Sequence, residues 1–234
     1  MNIDDVKKAL WSDVEHVLLD MDGTLLDKYF DDFFWNHLVP EKYAEIHGMT
    51  FGRARQHLHA KYKSQEGTLN WTDIDYWSGE LDIDIPALKE QILHLVEVHS
   101  HVEDFLKELQ ARGKHVALAT NAHYKTIAIK LRETTIGKYF DTVMPSFDMG
   151  FPKEDRRYWE NAQKLLGFDK SKTLFIDDTE DVLDSAALFG IKYVLLKHGA
   201  NSKDTSDMKI NAKKDARHLA FDDFGQLLPD KTPG

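Results

Sequence analysis

The chain contains no cysteine. That absence removes disulfides, thiolate zinc sites and cysteine nucleophiles at once. No apolar run is long enough to span a bilayer, and Met1 to Asp13 is charged where a secretory leader would be apolar. A cytoplasmic location is the expectation from both. Positive charge is in short supply too: 30 Lys and Arg face 40 Asp and Glu, a formal net charge of −10. Such a chain gains nothing from the counterion release that drives binding to DNA or RNA polymers, and its field disfavours anionic membranes. Hydrophobic residues make up 42% of 234 residues. That is enough for a proper core, in one large domain or a domain with an insertion.

Four apolar runs read as buried parallel strands: Val17–Leu19, His115–Ala119, Thr173–Ile176 and Tyr193–Leu196. Helical periodicities lie between them. Val102, Phe105, Leu106 and Leu109 share one face of a helix that stops at Gly113. Arg156 to Leu166 turns Tyr158, Trp159, Ala162, Leu165 and Leu166 inward and stops at Gly167, and Asp181 to Phe189 stops at Gly190. Strand and helix alternating at this spacing predict an α/β fold with a doubly wound parallel sheet. The stretch 28–95 breaks the alternation. Its aromatics, among them Phe30, Phe34, Trp35, Tyr62, Trp71, Tyr76 and Trp77, have helical spacing. It is read as an all-helical cap inserted into a core made of 1–27 and 96–234. Most of those aromatics are expected to be cap core. The tail from Gly199 is polar and expected to pack loosely, apart from an amphipathic piece around Leu219–Leu228.

Special residues fall at the predicted strand ends, where ligands bind in such sheets. Asp20 and Asp22 follow Val17-Leu18-Leu19, and Gly23-Thr24 comes directly after. Residues two apart in a strand face the same side, and carboxylates held that close repel unless a cation or a proton intervenes. A hard-metal site and a nucleophile beside a general acid both fit, as does an ordinary acidic turn. Thr120-Asn121 ends the second run, either as a phosphate cradle or as a helix cap. Lys153 sits in the loop Met149-Gly-Phe-Pro-Lys-Glu-Asp155, either as ordinary solvated surface or, held by Pro152, to neutralise phosphate and pair with Asp20. Asp177-Asp178 ends the third run, one expected on metal and its neighbour acting through water or a lysine. His123 stands just beyond Thr120-Asn121, as a cap or within reach of a leaving group. The pairs His57/His59 and His99/His101 lack a carboxylate-rich partner motif and are read as surface.

Taken in order, Asp20/Asp22, Thr120, Lys153 and Asp177/Asp178 resemble the four motifs of the haloacid dehalogenase-like hydrolase superfamily, over roughly Val14–Leu26 and Val102–Leu196. The insertion lies where that superfamily carries a helical C1 cap. Glu154 departs from the pattern, since many members have proline after the lysine. Within the superfamily, Leu18–Asp27, Thr68-Leu-Asn-Trp71 with Asp75-Tyr-Trp77, Thr120-Asn-Ala-His123 and Phe151–Asp155 are similar to the bacterial purine nucleotidase subgroup that acts on GMP and IMP.

The resemblance implies a Mg²⁺-dependent phosphatase working through an aspartyl-phosphate. Asp20 is then the nucleophile, and Asp22 the acid and base. Thr120, the Asn121 backbone and Lys153 hold the phosphoryl oxygens. Asp20, Asp22 (by its carbonyl) and Asp178 bind Mg²⁺, and Asp177 orders the metal's water shell or Lys153. A carboxylate at position 22 separates such an enzyme from the superfamily's dehalogenases, which lack an acid there, but not from its mutases. In the cap, Trp71, Tyr76 or Trp77 offers a stacking face for a purine, and Asn70 or Asp75 a partner for the base edge. The expected partner is a small phosphomonoester, a purine nucleotide first and a sugar phosphate or phosphoglycolate second, bound by a monomer or weak homodimer. A silent phosphate-binding module is the non-enzymatic alternative. A phospho-receiver is disfavoured because its acidic pair comes first in sequence.

Overall fold

The structure, a computed structural model, describes residues 2–203 and 216–230. Among them six strands form one parallel sheet: β1 (His16–Leu19), β2 (His115–Thr120), β3 (Thr142–Pro145), β4 (Thr173–Asp177), β5 (Tyr193–Lys197) and β6 (Ala220–Phe221). Their order is β3-β2-β1-β4-β5-β6. The expected doubly wound sheet is present, and the four expected strands are β1, β2, β4 and β5. Spacing missed β3, a sheet-edge strand whose Val143 is exposed, so it has no continuous apolar run to read. It also missed β6, which is too short for any periodicity.

Helix α1 (Ile3–Ser12) precedes the sheet. Between β1 and β2 come α2 (Tyr29–Phe33), which continues through a π turn at Phe34–Leu38 into α3 (Val39–His47), then α4 (Phe51–Gln65), α5 (Ile74–Leu81), α6 (Ile85–Glu90) and α7 (Val102–Ala111). The remaining helices are α8 (Tyr124–Glu133), α9 (Ser146–Met149), α10 (Arg156–Leu166) and α11 (Glu180–Phe189). None is long and apolar enough to cross a membrane.

Strand alternation sorts the sheet into two faces. Val17, Leu19, Val116, Leu118, Leu174 and Ile176 pack with α1 and α7. Leu18, Ala117, Ala119 and Phe175 pack with Tyr158, Trp159, Ala162, Val182, Leu183 and Ala186 of α10 and α11. Leu165, expected inward, is 56% exposed. α10 ends at Leu166, and Gly167 after it adopts a left-handed conformation that has no Cβ penalty. The amphipathic piece near the C-terminus buries Phe221, Phe224 and Leu227 in the first of these clusters. Of the rest of the tail expected to be loose, 204–215 and 231–234 lie outside the described residues, whereas the described parts are tied to the core and insertion, Asn201 donating to Asp32 at 2.7 Å and Arg217 to Glu180 at 2.8 Å.

The insertion is helical and has its own apolar cluster, which includes Phe30, Phe34, Leu58, Trp77, Leu81 and Leu88. Its two connections run side by side. Leu26 bridges Val98 in antiparallel fashion, and the Asp27 N–H donates to the Glu97 carbonyl at 2.9 Å.

Candidate active site

The register of three parallel strands assembles the site. Leu19 lies opposite both Leu118 and Ile176. The next residue along, Asp20, therefore emerges level with Asp177 and one step short of Thr120. Its N–H donates to the Ile176 carbonyl at 3.0 Å. β2 and β4 flank β1 on opposite sides, so the carboxyl end of β1 is the point where strand order reverses and a crevice opens. Gly23 lets the chain turn there. Its φ is +88°, and a Cβ would stand 2.6 Å from Asp178 Cγ, so a side chain at this position would displace the carboxylate.

Lys153 is buried between two of these carboxylates. Its ammonium donates to Asp20 and, at 2.6 Å, to Asp177 Oδ2. Burial alone would pull the Lys153 pKa down; Asp177 and Asp20 more than reverse this and hold the ammonium charged. The two carboxyls are both pushed up, chiefly by burial and against the attraction of Lys153. Asp177 also accepts from the Thr179 N–H at 2.9 Å, which fixes its second oxygen. Asp178 meets Lys28 at 3.3 Å. Asp20, Asp177 and Asp178 each offer an oxygen within 4.8 Å of the others, an all-oxygen donor set of the kind hard divalent cations take.

The Thr120 hydroxyl accepts from the Ala122 N–H at 3.0 Å, which leaves its own proton to donate. Asn121 clamps the lysine loop: its Oδ1 accepts from the Lys153 N–H at 2.9 Å and its Nδ2 donates to Glu154 at 3.0 Å. The departure at Glu154 thus holds Asn121 in place. The Lys153 carbonyl is fixed in turn by Trp159 Nε1 at 2.9 Å. His123 is buried and caps α8, its Nδ1 accepting from the Lys125 N–H. Its Nε2 stands 3.7 Å from Asp73 and 3.9 Å from Asp75. Burial lowers its pKa and the two acids partly offset that.

Asp22 has a different neighbour, one the sequence reading missed. The buried Lys130 donates to Asp22 Oδ1 at 2.5 Å and to Asp31 of the insertion. Lys89, also from the insertion, donates to the other oxygen of Asp31 at 3.0 Å. Burial raises Asp22 to about 6 even though Lys130 pulls it down.

These groups line one cavity of about 510 Å³ between sheet edge and insertion. Asp20, Asp22, Thr120, Asn121, His123, Lys153, Asp177 and Asp178 all face it, so the core residues named from sequence come together. From the insertion come Trp35, His59, Tyr62, Lys63, Trp71 and Trp77. Trp71 is 41% exposed, whereas Trp77 is buried edge-on against Trp35 and Tyr62. Asn70, Asp75 and Tyr76 are not among the lining residues. Asn70 donates to Gln65, and Asp75 is held by Lys125 at 2.6 and 2.8 Å, so both polar groups expected to read a base edge are engaged elsewhere. Of the histidine pairs, His57, His59 and His101 are exposed as expected, and His99 is half-buried.

Comparison with known proteins agrees with this arrangement. A haloacid dehalogenase-like hydrolase family model matches residues 14–190. The GMP/IMP nucleotidase YrfG of Escherichia coli (strain K12) is 40% identical over 219 residues, 94% of this chain and 96% of that protein. A phosphoglycolate phosphatase of Pseudomonas fluorescens (strain Pf0-1) is 24% identical over 228 residues, 91% of this chain and 78% of that protein. Among solved structures, a HAD phosphatase from Thermococcus onnurineus superposes with a TM-score of 0.76 at 18% identity, covering 92% of this chain and 96% of that one. The chain belongs to the haloacid dehalogenase-like hydrolase family.

Proposed function

We propose that the protein hydrolyses phosphomonoesters through an aspartyl-phosphate, that Mg²⁺ is its cofactor, and that its substrates are purine nucleoside 5′-monophosphates of the GMP and IMP type. The observation that carries this reading is the convergence of Asp20, Asp22, Thr120 and Lys153 on one cavity whose far wall is aromatic. Asp20 attacks phosphorus in line with the ester oxygen. Asp22, with a pKa of about 6, delivers a proton to the departing oxygen and then takes one from the water that cleaves the acyl phosphate. Lys153 and the Thr120 hydroxyl meet the negative oxygens as charge shifts in the transition state. Asp20, Asp178 and the Asp22 carbonyl, with Asp177 behind them, would hold Mg²⁺, which would supply the positive charge that lets an anionic nucleophile approach an anionic phosphate.

Residues 28–95 act as a cap on a core of 1–27 and 96–234, closing over the substrate and excluding water. The cavity favours a nucleotide over phosphoglycolate. A two-carbon leaving group would leave most of about 510 Å³ and the faces of Trp71 and Trp35 unused. The 40% identity to a GMP/IMP nucleotidase points the same way. With no membrane-crossing helix among the described residues and an acidic chain, a cytoplasmic site of action fits.

Phosphate release from IMP, GMP, AMP, UMP, sugar phosphates and phosphoglycolate, with Mg²⁺ and then with excess chelator, tests the reading. Purine monophosphates are expected to give the highest kcat/KM, and chelator to stop turnover. A sugar phosphate or phosphoglycolate ahead of every purine nucleotide by about tenfold, some 1.4 kcal/mol, would overturn the substrate. Full activity in chelator would overturn the cofactor.

A further inference from the structure

A lysine in the middle of a helix normally reaches water, yet the side chains of Lys130 on α8 and Lys89 at the end of α6 are 2% and 1% exposed. Both are compensated by carboxylates in a single alternating row. Asp22 Oδ1 accepts from Lys130, Lys130 donates onward to one oxygen of Asp31, and the other oxygen of Asp31 accepts from Lys89. Aromatic rings back the row: the Phe30 ring lies 5.1 Å from the Lys130 ammonium, and the Phe34 ring 4.4 Å from that of Lys89. Asp22 and Lys130 belong to the sheet-bearing part of the chain, Asp31 and Lys89 to the helical insertion. The row therefore starts at the residue read above as the acid and crosses from one part to the other between Lys130 and Asp31.

We propose that Lys130 is a positioning residue for Asp22, setting the carboxyl in place to protonate the leaving oxygen, and that Asp31 of the insertion completes this placement when it docks on Lys130. A carboxyl on a short side chain has few rotamers, and a fixed ammonium at one oxygen selects among them while leaving the other for the substrate. Because Lys130 is held from the insertion side as well, proton delivery is tied to the insertion being seated over the site. This rests on the reading of Asp22 as the acid.

The test uses leaving groups of unequal need for a proton. An alkyl phosphate such as IMP departs as a poor leaving group and needs the acid; p-nitrophenyl phosphate does not. kcat/KM covers the steps up to departure of that group. For Lys130→Met, kcat/KM on IMP is expected to fall about 10²-fold, as for loss of a general acid, and on p-nitrophenyl phosphate by no more than about threefold. Asp31→Asn, which keeps the shape, should show the same selectivity at roughly a tenth of the size. It serves as the independent variant should Lys130→Met not fold. Equal losses on both substrates in Asp31→Asn and Lys130→Met would make the row structural only and overturn the proposal. Asp22→Asn, run alongside, separates the two levels. If it too shows no dependence on leaving group, the acid assignment fails. If it shows the dependence and the Lys130 and Asp31 variants do not, this inference alone fails.

Discussion

Two buried lysines stand on either side of the Asp20–Asp22 segment, and they are built differently. Lys153 bridges Asp20 and Asp177, all three from strand ends and loops of one sheet. Lys130 bridges Asp22 and Asp31, one from the sheet edge and one from the inserted helices. Each ammonium is kept charged by its acids against the effect of burial. The acids answer differently. Asp20 and Asp177 are both raised, because burial outweighs one shared lysine. Asp31 is lowered, because Lys130 and Lys89 together overcome its burial. A group sealed inside one rigid layer keeps its geometry whatever the insertion does. A group that spans two layers keeps it only while they are docked, so the first lysine suits permanent charge balance and the second suits a conditional role.

The largest effect is expected at Lys153. Lys153→Met removes the cation that faces both Asp20 and the incoming phosphate, and kcat/KM should fall by at least about 10³-fold on every phosphomonoester, whatever its leaving group. Loss of the common partner of two buried carboxylates should also destabilise the fold, by roughly 3–5 kcal/mol. Steady-state rates on IMP and p-nitrophenyl phosphate, with circular dichroism as the check on folding, measure both. A loss restricted to poor leaving groups would make Lys153 a partner in proton delivery and erase the contrast with Lys130.

A smaller effect is expected from an uncharged residue of the insertion. Trp71 lines the cavity and is 41% exposed, as a face open to stacking would be. Trp71→Ala should lower kcat/KM for IMP and GMP by about tenfold, the lower part of the range for stacking on an aromatic, and leave p-nitrophenyl phosphate nearly unchanged. Equal losses on nucleotide and nitrophenyl ester would assign Trp71 to holding the insertion together.

The difference between the lysines also marks what was legible in the sequence. Asp20, Thr120 and Asp177 could be placed because each terminates an apolar run, and parallel register then forces strand ends to meet. Lys153 was legible as part of a motif in a loop. Lys130 and Lys89 were not, since a lysine in a helix reads as solvated. A signal was there: Lys89 falls with Ile85, Leu88 and Ile92 at the spacing of one helical face, and those three are buried. Lys130 likewise follows Thr126 by four residues on a buried stripe. A charge in an apolar stripe calls for a buried counter-charge, but its identity, Asp31, depends on how the insertion docks, which no local pattern encodes. Docking likewise gives Asp75 its partner Lys125, across the same boundary, whereas Asn70 is held by Gln65 five residues before it within the insertion.

The last and smallest effect is a pair of stability changes that depend on pH with opposite sign, measurable in chelator. The folded-state pKa of Asp22 is about 6, above the ordinary value of about 4, so the folded protein binds this proton more tightly than the unfolded chain does. Its contribution therefore declines as pH rises from about 4 to about 6. Asparagine does not titrate, so the Tm of Asp22→Asn relative to wild type should climb across that window. Asp31 lies on the other side: its pKa is held below the ordinary value, by Lys130 first and Lys89 second, in spite of burial. The stability it contributes is complete above about pH 4 and is lost as pH falls through the lowered value. The deficit of Asp31→Asn should accordingly be largest above about pH 4 and shrink in more acid solution. For a chain of this length 1 kcal/mol moves Tm by about 2–4 °C, so shifts of a few degrees are the expected scale. Parallel curves for the two variants would mean that both acids of the Lys130 row sense the same environment, and that the row is not divided between core and insertion in the way its charges are.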